Sequence, residues 1–203
     1  EEIAAVVEVL KNGHLSIAMG KGMPNAEALE REFAEYIGTK YALAVNSGTA
    51  SLHCAVAGVG IEPGDEVIVP AYTFIASAMA VLHQNAIPVF ADVHPDTFVI
   101  DPTDVERKIS SRTKAIMAVQ MYGLPCDMDQ IGAIAKKHNL KVVEDAAQAI
   151  GATYNGKKAG SLGDAAGFSF CTTKQLMAGE GGIVTTNDRE TYEKAGMLRL
   201  FGE

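Results

Sequence analysis

From Tyr41 onward the chain alternates two kinds of segment, and this alternation limits the fold more than any other feature. Short apolar runs recur at Tyr41–Val45, Glu66–Val69, Pro88–Ala91, Ala115–Val119, Lys141–Glu144, Ala166–Phe170 and Ile183–Thr186. Between most of them lie stretches with helical spacing: Thr49–Val59, Thr73–Gln84, Thr103–Ile109 and Asp129–His138, with Arg189–Leu200 after the last run. Most runs are rich in Val, Ile or Ala and lack strict polar alternation. That is the pattern of strands buried on both faces, as in a sheet sandwiched by helices. Strand-helix-strand order predicts an α/β fold with a mostly parallel seven-stranded sheet and right-handed crossovers. A short loop joins the last two runs, which leaves room for an antiparallel member.

The first forty residues read differently. Ile3, Val6, Val7 and Leu10 recur at helical spacing, and Gly13 stops that helix. The segment His14–Pro24 is irregular. A second helix fits Ala26–Ile37, with Asn25 as N-cap, Leu29, Phe33 and Ile37 as its buried stripe, and Gly38 as its stop. This divides the chain into an N-terminal helical arm, residues 1–25, and one large domain, residues 26–203. With 203 residues, 48% apolar and 21% charged, the chain can bury a substantial core.

Composition also narrows the partners. The net charge is −8, which argues against a phosphate-backbone footprint and hence against nucleic acid. No apolar run approaches the ~20 residues of a membrane span. The acidic start EEIAAVVEVLKNG is unlike a signal peptide. Three cysteines, Cys54, Cys126 and Cys171, without a C-x-x-C pair fit a reducing cytoplasm better than a disulfide framework or a zinc site. The five histidines show no metal-ligand spacing.

Two glycine patterns imitate phosphate-binding motifs. GATYNGKK, Gly151–Lys158, matches the start of a P-loop but has Lys158 where a Ser or Thr should hold magnesium, and no helix follows. It reads as a surface turn. Gly58, Gly60 and Gly64 have a spacing one residue too long for a dinucleotide fingerprint and follow a helix.

Three other pieces can carry chemistry. NSGTA, Asn46–Ala50, lies where a strand ends and a helix begins, which makes an anion site of free N–H groups and the positive helix end; it also reads as a plain N-cap. VVEDAAQAIGA places Glu144 and Asp145 at a strand end, where open α/β sheets put ligands, with Gln148 three residues on. A lone strand-end Asp is otherwise simply solvated. In GFSFCTTKQLMAGEGGIV, Lys174 stands in a glycine-rich connection between two apolar strands. In isolation it reads as a surface lysine with a buried stem. An anion cradle, a carboxylate and an amine together suit a cofactor with a phosphate, a basic ring nitrogen and an aldehyde, namely pyridoxal 5′-phosphate (PLP).

The blocks EALEREFAEYIGTKYALAVNSGTASLHCAV, GDEVIVPAYTFIASAMAV, PVFADV, YGLPCDMDQI, VVEDAAQAIGA, and GFSFCTTK followed by GEGGIVTTND run in order from about Glu27 to Asp188. They resemble the DegT/DnrJ/EryC1/StrS family of PLP-dependent aminotransferases, which has the aspartate aminotransferase-like fold. The resemblance implies that Lys174 forms the Schiff base with PLP and moves the proton. It implies that Asp145 pairs with the pyridine nitrogen and Gln148 with the phenolic oxygen. Gly48, Thr49, Ala50 and Ser169 would hold the phosphate, and Phe74 would stack on the ring. It further implies transfer of an amino group from glutamate or glutamine to a keto sugar, often nucleotide-linked, or a related cyclic ketone, in a homodimer with a shared active site. Related branches dehydrate an aminohydroxybenzoate precursor, and some relatives were first described as regulators. Family members are longer, so the small C-terminal domain is expected to be absent from this sequence.

Overall fold

The computed structural model describes residues 1–13, 15 and 23–200. Most of the irregular segment His14–Pro24, and Phe201–Glu203, lie outside them. The elements, in chain order, are α1 Glu2–Asn12, α2 Pro24–Ile37, β1 Tyr41–Val45, α3 Gly48–Gly58, β2 Glu66–Pro70, α4 Ala76–His83, β3 Ile87–Ala91 and α5 Pro102–Lys108. There follow β4 Thr113–Val119, α6 Met128–His138, β5 Lys141–Asp145, β6 Thr153–Tyr154, β7 Lys157–Lys158, β8 Ala165–Ser169, β9 Gly182–Thr186 and α7 Arg189–Arg199.

Seven strands form one sheet in the order β1-β9-β8-β5-β4-β2-β3. Strands β8, β5, β4, β2 and β3 run parallel, and β9 runs antiparallel to both its neighbours. The α/β class and the mostly parallel sheet agree with the sequence pattern, and β9 fills the antiparallel place that the short β8–β9 connection allows. Alternate residues of one strand serve opposite faces. Leu43 of β1 and Val184 of β9 join the larger core cluster, while Ala42 and Ile183 join a second one around Phe33 of α2. Phe33 meets Phe168 edge to face at 5.0 Å between ring centroids. On the other face α3 packs against β8 so closely that a Cβ on Gly167 would lie 2.7 Å from Ser51 Oγ and 2.9 Å from Leu52 Cδ2. Both faces of the sheet are therefore covered, which is why its strands carry no polar alternation.

Three details differ from the sequence reading, and a fourth adds to it. Helix α2 is capped by Met23 rather than Asn25, because Pro24 takes the first helical position with its fixed φ and the Glu27 carboxylate accepts the Met23 N–H. Leu29 faces outward, and Ala34 joins Phe33 and Ile37 in the buried stripe instead. Helix α4 begins at Ala76, three residues later than its periodicity implies, because Thr73–Ile75 form a turn at the site described below. The apolar stripe of α1 joins no core: Ile3, Val6, Val7 and Leu10 are all exposed. GATYNGKK forms the β6–β7 hairpin, turning at Asn155-Gly156, both with positive φ.

Candidate active site

The parallel strands β5 and β8 are neighbours, with Asp145 opposite Gly167, and their carboxyl ends carry Asp145 and Ser169. A cleft of about 300 Å³ opens at this edge. Seven sequence candidates line it: Gly48, Thr49, Phe74, Asp145, Gln148, Ser169 and Lys174. Ala50 does not. Its N–H donates to Ser47 Oγ at 3.1 Å, the N-cap bond of α3, and its side chain faces another groove.

Helix α3 points its first turn into the cleft. Ser51 N–H returns to Ser47 O and Ala50 N–H to Ser47 Oγ, so the N–H groups of Gly48 and Thr49 keep no protein acceptor among the described residues. Free N–H groups at a helix start form an anion site. Gly48 is required by packing: a Cβ there would sit 2.6 Å from Ser169 Cβ. That contact brings the helix start and the β8 end together, and places the Ser169 hydroxyl beside the first turn.

The pleat of β5 separates its two acidic residues. Glu144 is fully buried away from the cleft, in a socket formed by the N–H groups of Gly160, Leu162 and Gly163 and by Gln120 Nε2, at 2.7–2.9 Å. Asp145 faces the cleft at 6% exposure with two donors among the described residues, Ser77 Oγ at 2.7 Å and Ala147 N–H at 3.2 Å. Burial pushes its carboxyl above the ordinary range; Ser77, the Ala147 N–H and the charge of Lys174 pull it back. A buried carboxylate supplied this sparingly favours a cationic partner.

Lys174 lies in an excursion between β8 and β9. Its base is closed by Phe170, whose N–H donates to Gly181 O and whose carbonyl accepts from Ala178 N–H, both at 2.9 Å. Gln175 Nε2 donates to Gln148 O at 2.6 Å and ties this loop to the turn after β5. Gln148 Oε1 accepts from Tyr122 N–H at 2.8 Å, so its Nε2 is the end left to donate elsewhere. Phe74 lines the cleft, 67% exposed, a flat apolar face open to solvent. Cys171 also lines the cleft; donors from Thr172 and Thr173 draw its thiol below the usual range.

Two residues of the site escaped the sequence reading. Ser77 is fully buried beneath Asp145, and Thr73 Oγ1 lies 2.7 Å from Ser77 Oγ. The available signal was a lone serine in the apolar run ASAMAVL, which at a buried helical position needs a partner. Free helix-start donors with a serine hydroxyl, a buried carboxylate facing a lysine, and an uncovered aromatic ring match the phosphate, ring nitrogen, aldehyde and flat ring of PLP. Among the described residues no cluster of side chains could hold a metal ion, and no helix is long and apolar enough to cross a membrane.

Comparison with known proteins gives the same direction. The chain is 54% identical over 173 residues to GDP-perosamine synthase of Caulobacter vibrioides, covering 85% of this chain and 47% of that protein. It is 53% identical over 174 residues to dTDP-3-amino-3,6-dideoxy-alpha-D-galactopyranose transaminase of Aneurinibacillus thermoaerophilus, covering 85% and 48%. Among solved structures it matches DesV of S. venezuelae in complex with a ketimine intermediate, with TM-score 0.86 and 43% identity, over 100% of this chain and 57% of that one. The chain thus spans about half the length of the curated relatives it matches. The profile of one family matches residues 1–203 from end to end, and on that match, with these relatives, the chain belongs to the DegT/DnrJ/EryC1/StrS aminotransferase family.

Proposed function

We propose that the cleft holds pyridoxal 5′-phosphate and that the protein transfers an amino group from glutamate or glutamine to a keto sugar, nucleotide-linked like the sugars in its relatives' names, or to a related cyclic ketone, with a second copy of the chain as its partner in the cytoplasm. The observation that supports this most is the convergence of Lys174, Asp145, Gln148 and the free N–H groups of α3 on one cleft. The cofactor, when bound, supplies an electron sink for a carbanion formed at the amino donor.

The chain's own residues have separable tasks. The Gly48 and Thr49 N–H groups, with the hydroxyls of Thr49 and Ser169, bind the phosphate and fix the ring's position. Asp145 keeps a proton on the ring nitrogen. Gln148, its oxygen held by Tyr122, donates to the phenolic oxygen. Phe74 covers one ring face and excludes water from it. The Lys174 amine would hold the cofactor at its aldehyde and, when free, would be the base placed to carry a proton from the donor's α-carbon.

The test is an absorbance titration of the protein with PLP beside a Lys174→Ala variant. The expected result is a yellow Schiff-base band that glutamate or glutamine removes and that, in a separate sample without donor, borohydride converts to a stable adduct on Lys174. The variant should lose more than about 10²–10⁴-fold in turnover, the range for proton transfer alone, because the covalent link goes with it. A Lys174→Ala variant with near-normal turnover overturns the assignment.

A further inference from the structure

We propose that Ser77 is the positioning residue of the site: its hydroxyl holds Asp145 oriented and ionised toward the ring nitrogen of the cofactor. The inference rests on the PLP reading above and concerns a residue outside the cleft lining.

The argument begins with proton counting. An ionised carboxylate only accepts, so at 2.7 Å from Asp145 Oδ2 the single hydroxyl proton of Ser77 points to that oxygen. Ser77 Oγ then has only lone pairs for its other neighbour, Thr73 Oγ1 at 2.7 Å, and Thr73 is the donor of that bond. The relay runs one way, from Thr73 to Ser77 to Asp145, for as long as Asp145 is charged. Ala147 N–H occupies the other carboxylate oxygen at 3.2 Å. The carboxylate is therefore fixed at both oxygens before any ligand arrives, by a hydroxyl from α4 and an amide from the turn after β5.

Ser77 is fully buried, and its neighbours on α4 are Ala76 and Ala78. On the α4 side of the carboxylate, the flanking alanines offer no substitute donor. Without the hydroxyl, Asp145 Oδ2 loses its nearest partner in a site where burial already opposes the charge. Hydrogen bonds to a charged group are among the stronger ones in proteins. The effect should appear wherever the charge on Asp145 is used, and nowhere else.

A ligand that differs only at the ring nitrogen separates this role from simple packing. The experiment titrates the protein and its Ser77→Ala variant with PLP and with 1-deazapyridoxal 5′-phosphate, in which a C–H replaces the nitrogen, reading the Lys174 Schiff-base absorbance. Ser77→Ala should weaken PLP by about tenfold, as expected for one hydrogen bond to a charge. It should leave the deaza analogue within about twofold. Equal weakening of both ligands, or of neither, overturns the proposal. Thr73→Val, which removes only the outer donor, gives a second reading if Ser77→Ala does not fold: it should weaken PLP selectively and by less, and indifference to the ring nitrogen again overturns it. If the unsubstituted protein forms no Schiff base with either ligand, the PLP reading itself fails, an outcome distinct from the others.

Discussion

Adjacent residues of β5 show what the site costs. Glu144 receives four donors, three of them backbone N–H groups, and Asp145 receives two. The first carboxylate ties the loop after the β6–β7 hairpin to the sheet; the second is left short of partners where a ligand can reach it. Stability should register the difference. Burial raises the folded-state pKa of Asp145 above its unfolded value of about 3.9. The folded protein thus holds that proton more tightly than the unfolded chain. The stability this contributes is complete below the unfolded pKa and is lost as pH rises through the folded one. Wherever Asp145 is ionised, the cofactor-free protein carries the cost of burying that charge. Asp145→Asn should therefore make the cofactor-free protein more stable by about 1 kcal/mol at pH 7, a gain typical of relieving a functional site. The gap should close toward pH 4. Urea unfolding across that range checks it, and a variant less stable than the parent at pH 7 would show that the charge is already well compensated.

Helix α3 is the element that joins fold to site. It crosses β8 at close range, and Gly48 and Gly167 make that approach possible. The same Gly→Ala substitution should accordingly have opposite signs in different places. Gly167→Ala forces a methyl against Ser51 and Leu52 and should destabilise by about 1–3 kcal/mol, the usual cost of overpacking. Gly132→Ala, on the open face of α6 with nothing within 4 Å, should stabilise by up to about 1 kcal/mol through helix propensity. Thermal unfolding of the two variants measures both; destabilisation by both would mean that Gly132 has a role its surroundings do not show. Elements of this kind were legible in the sequence because burial on two faces leaves a plain apolar signature. The strands of the main sheet and the helices after them follow the periodicity closely. The first turn of the site did not. Thr73–Ile75 continue the helical pattern of α4, but they form a turn whose Thr73 hydroxyl bonds Ser77, and periodicity carries no information about such a bond. The N-cap of α2 shifted for a similar reason, since a proline at the first helical position outweighs a good capping side chain next to it. Ser77 was hidden because its partner is 68 residues away in sequence.

At the scale of the whole molecule, the aromatic rim of the cleft is the feature left without an internal explanation. Tyr72, Phe74, Phe98 and Tyr122 are each 45–68% exposed, Tyr72 and Tyr122 join hydroxyls at 2.8 Å, and Tyr122 shares a shallow groove with Gln148 and Lys174. Tyr122 holds a positive φ of 54° while its N–H fixes Gln148, so the rim and the site share one backbone segment. If the second copy proposed above covers this rim, self-association and cofactor binding are coupled, and each must strengthen the other by the same factor. Sedimentation velocity of the protein with and without PLP should then show a larger dimer fraction in its presence, and dilution should weaken PLP binding. Tyr122→Asp places a charge in the rim without removing the backbone N–H that holds Gln148. It should weaken the dimer by about tenfold or more, as loss of an aromatic anchor does, and PLP affinity should fall with it. A protein that stays monomeric at every concentration and binds PLP equally well when dilute would uncouple the two, and would leave the rim as the approach to the cleft for substrate rather than for a second subunit.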